Sequence, residues 1–220
     1  MFWLRVVLGL AVFFGLFSGT VFGAAGRWDL PMFWAYFGVL VAAMLLSLIG
    51  ADRDLMKERA KPGPGGKDHE LRWLAIAVML AHFATAGADV GRYHWSDSVP
   101  RWLQVAALIL IAASFGFTKW ASMTNRFFSS VVRIQRDRGH RLVDSGPYAY
   151  IRHPGYASAI NWFLMSGIAL GSWASVGVAL LGVPLFFRRL FLEERTLLAE
   201  LEGYREYAAR VPWRLVPGIW

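Results

Sequence analysis

Residues 154–187 read PGYASAINWFLMSGIALGSWASVGVALLGVPLFF, 34 positions without an ionisable Asp, Glu, Lys, Arg or His. As a single helix this run would be about 51 Å long, against a bilayer hydrocarbon core of about 30 Å. It must therefore fold back on itself. Gly171-Ser172-Trp173 is the predicted turn, because glycine alone adopts the required backbone freely. Working outward, uncharged runs of 21, 22, 16 and 17 residues lie between Arg5 and Arg27, Asp29 and Asp52, Arg72 and Asp89, and Arg101 and Lys119. With the hairpin these predict an all-α, polytopic membrane bundle of about six spans. The composition agrees, with 56% hydrophobic residues over 220 positions and a mean hydropathy of +0.41.

A net charge of +8 would suit a nucleic-acid binder, but the placement of the charges argues for a membrane. Of 23 Lys and Arg, 20 fall before the first run or in the segments 51–72, 119–153 and 188–214. The other two loops hold only Arg27, Arg92 and Arg101. That asymmetry predicts a multi-pass protein with both termini cytoplasmic, and it needs anionic membrane lipids rather than nucleic acid as partner. The absence of cysteine excludes disulfides and thiolate metal sites. The five histidines have no metal-ligand spacing, and no metal is expected. Neither a P-loop nor a GxGxxG fingerprint is present.

Residues 1–51 are expected to form a helix pair, 52–70 a flexible cytoplasmic loop broken by Pro62-Gly63-Pro64-Gly65-Gly66, and 71–220 the functional core. Residues 1–26 also fit a secretory signal, although 21 uncharged residues suit a retained span better. Gly15, Gly19 and Gly23 make a small-residue stripe suited to close helix packing, as do Gly167 and Gly171. His82 and Asp89 share a face of the third span. The simpler reading is a neutral His82 bonded to a neighbouring helix, with Asp89 at the surface pairing Arg92 or water. In NRFFSSVVRIQ, residues 125–135, the apolar Phe127, Phe128, Val131 and Val132 suggest an interfacial helix. Leu197, Leu198, Leu201, Tyr204 and Tyr207 suggest a second helix lying on the membrane near the C-terminus.

The polar stretch that stands out is GHRLVDSGPYAYIRHPGY, residues 139–156. Gly146-Pro147 is a turn dipeptide, and Pro154 can open a helix while holding His153 extended. A structured polar loop leading straight into an apolar helix suits a small polar cofactor at a membrane surface. Farther on, Arg189 and Glu193 are four residues apart and share a helix face.

The ordered set GPY, RHPxY, RxxxEE and YxxYxxRVP, over residues 125–220, resembles the isoprenylcysteine carboxyl methyltransferase family, to which phospholipid N-methyltransferases are related. The resemblance implies an integral membrane methyltransferase using S-adenosyl-L-methionine. It carries cofactor contacts onto Gln135, onto His140, Arg141, Leu142 and Val143, onto Tyr148, and onto His153, Pro154, Gly155 and Tyr156. Reaction-site roles fall on Arg189 and Glu193. In this reading His153 or Arg152 pairs the cofactor carboxylate, and Tyr148 or Tyr156 stacks on its adenine. Glu193 stabilises the sulfonium or takes a proton, and Arg189 holds an acceptor carboxylate. A lipophilic acceptor enters from the bilayer. Two alternatives stand beside it. One is an NADPH-dependent sterol-type membrane reductase, a class in which RHPNY precedes Gly-Glu where this chain has RHPGY and then Ala157-Ser158. The other is a non-catalytic membrane scaffold.

Overall fold

The computed structural model describes residues 2–220. It gives side-chain environments for 8–68 and 70–220. Eight α-helices follow one another among the described residues: α1 Phe2–Ala25, α2 Pro31–Leu48, α3 Arg53–Ala60, α4 His69–Ala88, α5 Arg101–Thr124, α6 Pro154–Ala169, α7 Trp173–Glu200 and α8 Tyr204–Arg210. A π-helical turn, Asp89–Tyr93, extends α4, and short 3-10 turns occupy Arg136–Arg138 and Gly146–Ala149. The described chain contains no strand.

Five of these helices are long and apolar enough to cross a membrane, over Leu8–Ala25, Pro31–Leu48, Glu70–Tyr93, Arg101–Thr124 and Trp173–Glu200. The sixth expected span corresponds to α6. Its 16 residues make a rod of about 24 Å, shorter than a hydrocarbon core. The fold-back falls where the glycine allows it. Gly171 has φ 80°, and the bonds Ser172 N–H to Gly167 O at 2.9 Å and Gly171 N–H to Ile168 O at 2.9 Å close the end of α6 as a left-handed cap.

The chain forms two compact units. The first, residues 1–44, 73–112 and 161–183, has an aromatic core. Phe22 packs against Trp28, Phe33, Trp34 and Phe37, and Phe83 packs against Phe17, Tyr36 and Phe37. His82 is fully buried. Its Nε2 lies 2.7 Å from Ser166 Oγ and its Nδ1 2.8 Å from Ser175 Oγ, so it joins neighbouring helices as the simpler reading expects.

Asp89 departs from that reading. It is buried, accepts a 2.5 Å bond from Ser172 Oγ, and does not pair with Arg92, whose Nη2 donates to Gly23 O at 3.2 Å. The π-helical turn carries Asp89 inward, where the Ser172 hydroxyl of the hairpin meets it.

The glycine stripe of α1 is also used differently from expectation. A Cβ on Gly15, Gly19 or Gly23 would meet nothing within 4 Å. The close approach is made by Gly87 and Gly91. A Cβ there would fall 2.1 Å from Val21 O and 2.5 Å from Ala25. Gly167 does take the expected packing role, with Val176 only 2.8 Å from its absent Cβ.

The second unit comprises residues 45–72, 113–160 and 184–220. Lys119 ties off α2 here, its Nζ donating to Leu46 O at 2.8 Å and Ile49 O at 2.5 Å, a cation at the negative end of a helix. The segment 52–70 carries regular structure in α3, capped by the Asp52 carboxylate on Asp54 N–H at 2.7 Å. The Pro-Gly cluster 62–66 stays irregular, as expected.

No interfacial helix forms over 125–135. Side chains take the backbone donors that a helix would use. Asn125 Oδ1 accepts from Phe127 N–H at 2.8 Å, Ser129 Oγ from Val131 N–H at 3.2 Å, and Asp68 Oδ1 from Val132 N–H at 3.2 Å. Near the C-terminus, Tyr204 and Tyr207 face inward, 3% and 1% exposed, around Tyr148 and Ala121, with Leu197, Leu198 and Leu201 against them.

Candidate active site

The second unit encloses a cavity of about 330 Å³, within the range of small-molecule sites. The polar loop supplies one wall. Gly146, at φ 58°, starts the turn, and a Cβ there would meet Thr124 Oγ1 at 2.7 Å, so both conformation and space demand glycine. The turn buries Tyr148, whose carbonyl accepts a 2.7 Å bond from Tyr207 OH. Burial pushes the Tyr148 phenol up, so it acts as a hydrogen-bonding hydroxyl.

The loop then pairs with the C-terminal tail. Arg152 N–H donates to Trp213 O at 2.9 Å and His153 N–H to Arg214 O at 3.0 Å. Glu194, 4% exposed, fixes the same junction. Its Oε1 lies 2.9 Å from Arg152 Nη2 and its Oε2 2.5 Å from Arg214 Nε. Arg152 is therefore committed to a buried ion pair and has no charge to spare for a ligand. Pro154 opens α6. Gly155 follows where a Cβ would fall 2.7 Å from the Phe128 ring.

His153 is 4% exposed, lines the cavity, and has no partner for Nε2. Burial first, and then the charges of Arg152 and Arg214, bring its pKa down to about 3. It is a neutral imidazole, so a contact of its Nε2 with a ligand is a hydrogen bond and not an ion pair. His140 is neutral too, brought down to about 4 by burial and by Arg133 and Arg138. Its ring stacks on Phe127 at 4.5 Å, and its Nδ1 accepts Gln135 N–H at 3.2 Å, leaving Nε2 as the donor.

The opposite wall comes from α7. Tyr156 OH donates to Glu193 Oε2 at 2.8 Å. Arg189 lies one turn before Glu193, with its Cζ 6.0 Å from the Tyr156 ring centre. Arg189 Nη2 donates to Ser130 O at 2.6 Å. Its Nε sits 2.9 Å from Asp68 Oδ2 as an ion pair without hydrogen-bond alignment.

Of the residues expected to form the site, His140, Arg141, Leu142, Val143, Tyr148, His153, Pro154, Gly155, Tyr156, Arg189 and Glu193 all line this cavity. Gln135 does not. It is fully buried behind the wall, donating Nε2–H to Phe127 O at 2.6 Å and accepting from Arg138. Arg59, Asn125, Arg133 and Tyr204 also line the cavity and were not anticipated. Arg133 makes a bidentate, buried pair with Glu58 of α3, at 2.9 and 2.8 Å. For Arg59 the only signal was the mixed charge of 52–70; Asn125 and Arg133 lie in the segment read as an interfacial helix, and Tyr204 in the YxxYxxRVP motif. Among the described residues, no group of three or more His, Asp or Glu could hold a metal ion.

Helices of membrane-crossing length, with a polar cavity bounded by a Gly-Pro turn, an Arg-His-Pro helix start and an Arg–Glu helix face, define a polytopic all-α membrane protein with a small-molecule site. The comparisons narrow the class. Residues 105–199, less than half of the chain, match the model of the isoprenylcysteine carboxyl methyltransferase family.

Among relatives named protein-S-isoprenylcysteine O-methyltransferase, the Schizosaccharomyces pombe protein is 34% identical over 39% of this chain and 37% of its own length. The Homo sapiens protein is 33% identical over 50% of this chain and 40% of its own. The Arabidopsis thaliana B form is 30% identical over 55% and 60%. The chain thus spans 37% to 60% of these relatives' lengths. The solved structure of the eukaryotic intramembrane Ras methyltransferase, isoprenylcysteine carboxyl methyltransferase, has the same fold. It aligns with a TM-score of 0.58 at 21% identity, over 97% of this chain and 86% of that one.

Proposed function

We propose that this chain is an S-adenosyl-L-methionine-dependent methyltransferase acting on a lipidic or small hydrophobic acceptor at the cytoplasmic membrane face, with both termini cytoplasmic. The observation that carries the reading is one cavity holding both the unpartnered, buried His153 Nε2 and the Tyr156–Glu193 hydrogen bond.

The cavity fits the cofactor chemically. His153 Nε2 and Tyr204 OH are buried polar atoms without partners, and such atoms are costly unless a ligand satisfies them. His140 Nε2–H and the Tyr148 hydroxyl add hydrogen-bonding groups. Gly155 lets the Phe128 ring pack against the start of α6, since a Cβ there would fall 2.7 Å from it. With Arg152 held by Glu194, the cofactor carboxylate falls to Arg141, which lines the cavity beside His140.

When bound, the cofactor supplies an electrophilic sulfonium methyl group. The residues of the chain position and desolvate the partners, since an in-line displacement needs no covalent enzyme intermediate. Tyr156 orients the Glu193 carboxylate and caps one of its lone pairs. Glu193 then presents its other oxygen to balance positive charge, or to accept a proton from an acceptor that carries one. The relatives' names point to oxygen as the methylated atom; an acceptor carboxylate would need no base.

The test is calorimetric titration of the detergent-purified chain with S-adenosylhomocysteine and, separately, NADPH. Saturable binding of the former, lost in His153→Ala, supports the reading. Binding of NADPH alone would move the protein to the reductases, and binding of neither would leave a scaffold.

A further inference from the structure

A groove of about 520 Å³ lies along α7 in the second unit and shares no lining residue with the candidate active site. Leu71, Phe191 and Leu192 supply its apolar lining, and Arg188 and Arg195 its exposed cations.

The helix presents these groups in one row. Arg188 and Arg195 are seven residues apart, so they share a face of α7, about 10.5 Å from each other along the axis. Phe191 and Leu192 lie between them on that face. Phe191 is 43% exposed and meets Trp220 edge-on, with ring centres 5.8 Å apart, so it is held from one side and open on the other.

The groove has an excess of positive charge. Lys67 pairs with Glu200 at 2.7 Å, and Asp68 with Arg189 at 2.9 Å. Arg188, Arg195 and Glu70 are exposed and have no side-chain hydrogen bond or ion pair among the described residues. Two guanidiniums against one carboxylate leave one positive charge without a counter-ion.

The place of the row along α7 says what would supply that anion. Arg188 is the first charged residue after the uncharged run 154–187. The groove therefore begins where the helix leaves the hydrocarbon core, at the level of lipid phosphates. Arginines at that level lay their stems on apolar surface and turn their planar forks to phosphate oxygens.

We propose that this groove is a binding site for an anionic phospholipid. Arg188 and Arg195 take the headgroup phosphate from the two ends of the row, and an acyl chain passes over Phe191 and Leu192 toward the apolar end of α7. A monoanionic headgroup cancels the excess charge. A phosphocholine headgroup would bring a fixed cation of its own among the guanidiniums. The site stands independently of the methyltransferase reading, because no lining residue is common to the two.

The full chain in detergent is titrated with dioleoyl phosphatidylglycerol or dioleoyl phosphatidylcholine while its melting temperature is followed, since a ligand of the folded state raises it by mass action. Wild type should show a saturable rise with phosphatidylglycerol and a smaller one with phosphatidylcholine. The double variant Arg188→Gln/Arg195→Gln should need at least about tenfold more phosphatidylglycerol for the same rise, the scale of two lost arginine contacts with an anionic headgroup. Its melt without lipid should match wild type, because neither side chain has a partner within the described residues. Arg53→Gln/Lys57→Gln, which removes the same charge from exposed positions of α3, should titrate as wild type does.

A rise as large with phosphatidylcholine or phosphatidylethanolamine overturns the assignment to an anionic lipid. An equal rise with inorganic phosphate does so too, by making the groove a simple anion site. Phosphatidylglycerol acting alike on wild type and on Arg188→Gln/Arg195→Gln overturns the site itself. An equal loss in Arg53→Gln/Lys57→Gln also overturns it, by showing that charge spread over the surface is enough. S-adenosylhomocysteine binding should be unchanged in Arg188→Gln/Arg195→Gln, and its loss would overturn the separation of the groove from the cavity.

Discussion

Tyr156 OH donates to Glu193 Oε2 across 2.8 Å, tying the first turn of α6 to α7 at the wall of the cavity. The bond leaves Glu193 positioned whether its outer oxygen is charged or not. Glu193→Gln keeps an amide oxygen to accept the same bond, so the fold should survive. Turnover should fall by at least about a hundredfold, the scale of a lost acid–base or charge-stabilising group. Methyl-transfer rates beside a thermal melt check this. Wild-type turnover would remove Glu193 from the mechanism.

The second glutamate of the same motif has a structural task. Glu194 sits between Arg152 and Arg214, and the Arg152–Glu194 pair is almost dry, with side chains 6% and 5% exposed. Removing one member of such a group leaves a buried charge uncompensated, at about 3–5 kcal/mol. Glu194→Gln should therefore lower the melting temperature much more than Glu193→Gln does. A melt equal to wild type would show that the junction is held by its backbone bonds alone.

These two neighbours show what was legible in the sequence and what was not. The fold-back at Gly171, the Gly-Pro turn and the helix opened by Pro154 are local: glycine and proline act on the residues beside them. Eleven of the twelve residues carried over from the resemblance line the same cavity. Glu58 and Arg133 are 75 positions apart, and Asp68 reaches Arg189 from another helix start. No local pattern encodes such pairs, so the contribution of α3 was hidden behind the Pro-Gly cluster. Gln135 stands apart for a related reason. Its amide could serve a ligand or the loop, and in the structure it donates to the Phe127 carbonyl, which tertiary structure positions. Periodicity also failed over 125–135, where Asn125 and Ser129 drew the backbone donors away from a helix.

Gly155 gives a steric test of the cavity. The absent Cβ would sit 2.7 and 2.8 Å from two atoms of the Phe128 ring, the ring on which Arg59 stacks. Gly155→Ala must push that ring, at about 1–3 kcal/mol for an overpacked site. We expect a lower melting temperature together with weaker binding of S-adenosylhomocysteine. Unchanged binding in a destabilised variant would place the cofactor away from the helix start.

The two cavity histidines predict an acid-side loss of stability. Both have folded-state pKa values below the ordinary value near 6.5, about 4 for His140 and about 3 for His153. As pH falls below about 6.5, the unfolded chain takes up protons that the folded chain refuses, so each group favours unfolding by about 1.4 kcal/mol per pH unit until its folded pKa is reached. Above that window both states carry neutral rings and the contribution is flat. The melting temperature should thus hold from pH 8 to about 7 and fall steadily from about 6 to 4. His153→Gln should flatten the acid limb, and His140→Gln should flatten it over a narrower range. An acid limb unchanged in both variants would mean that other groups carry the pH dependence.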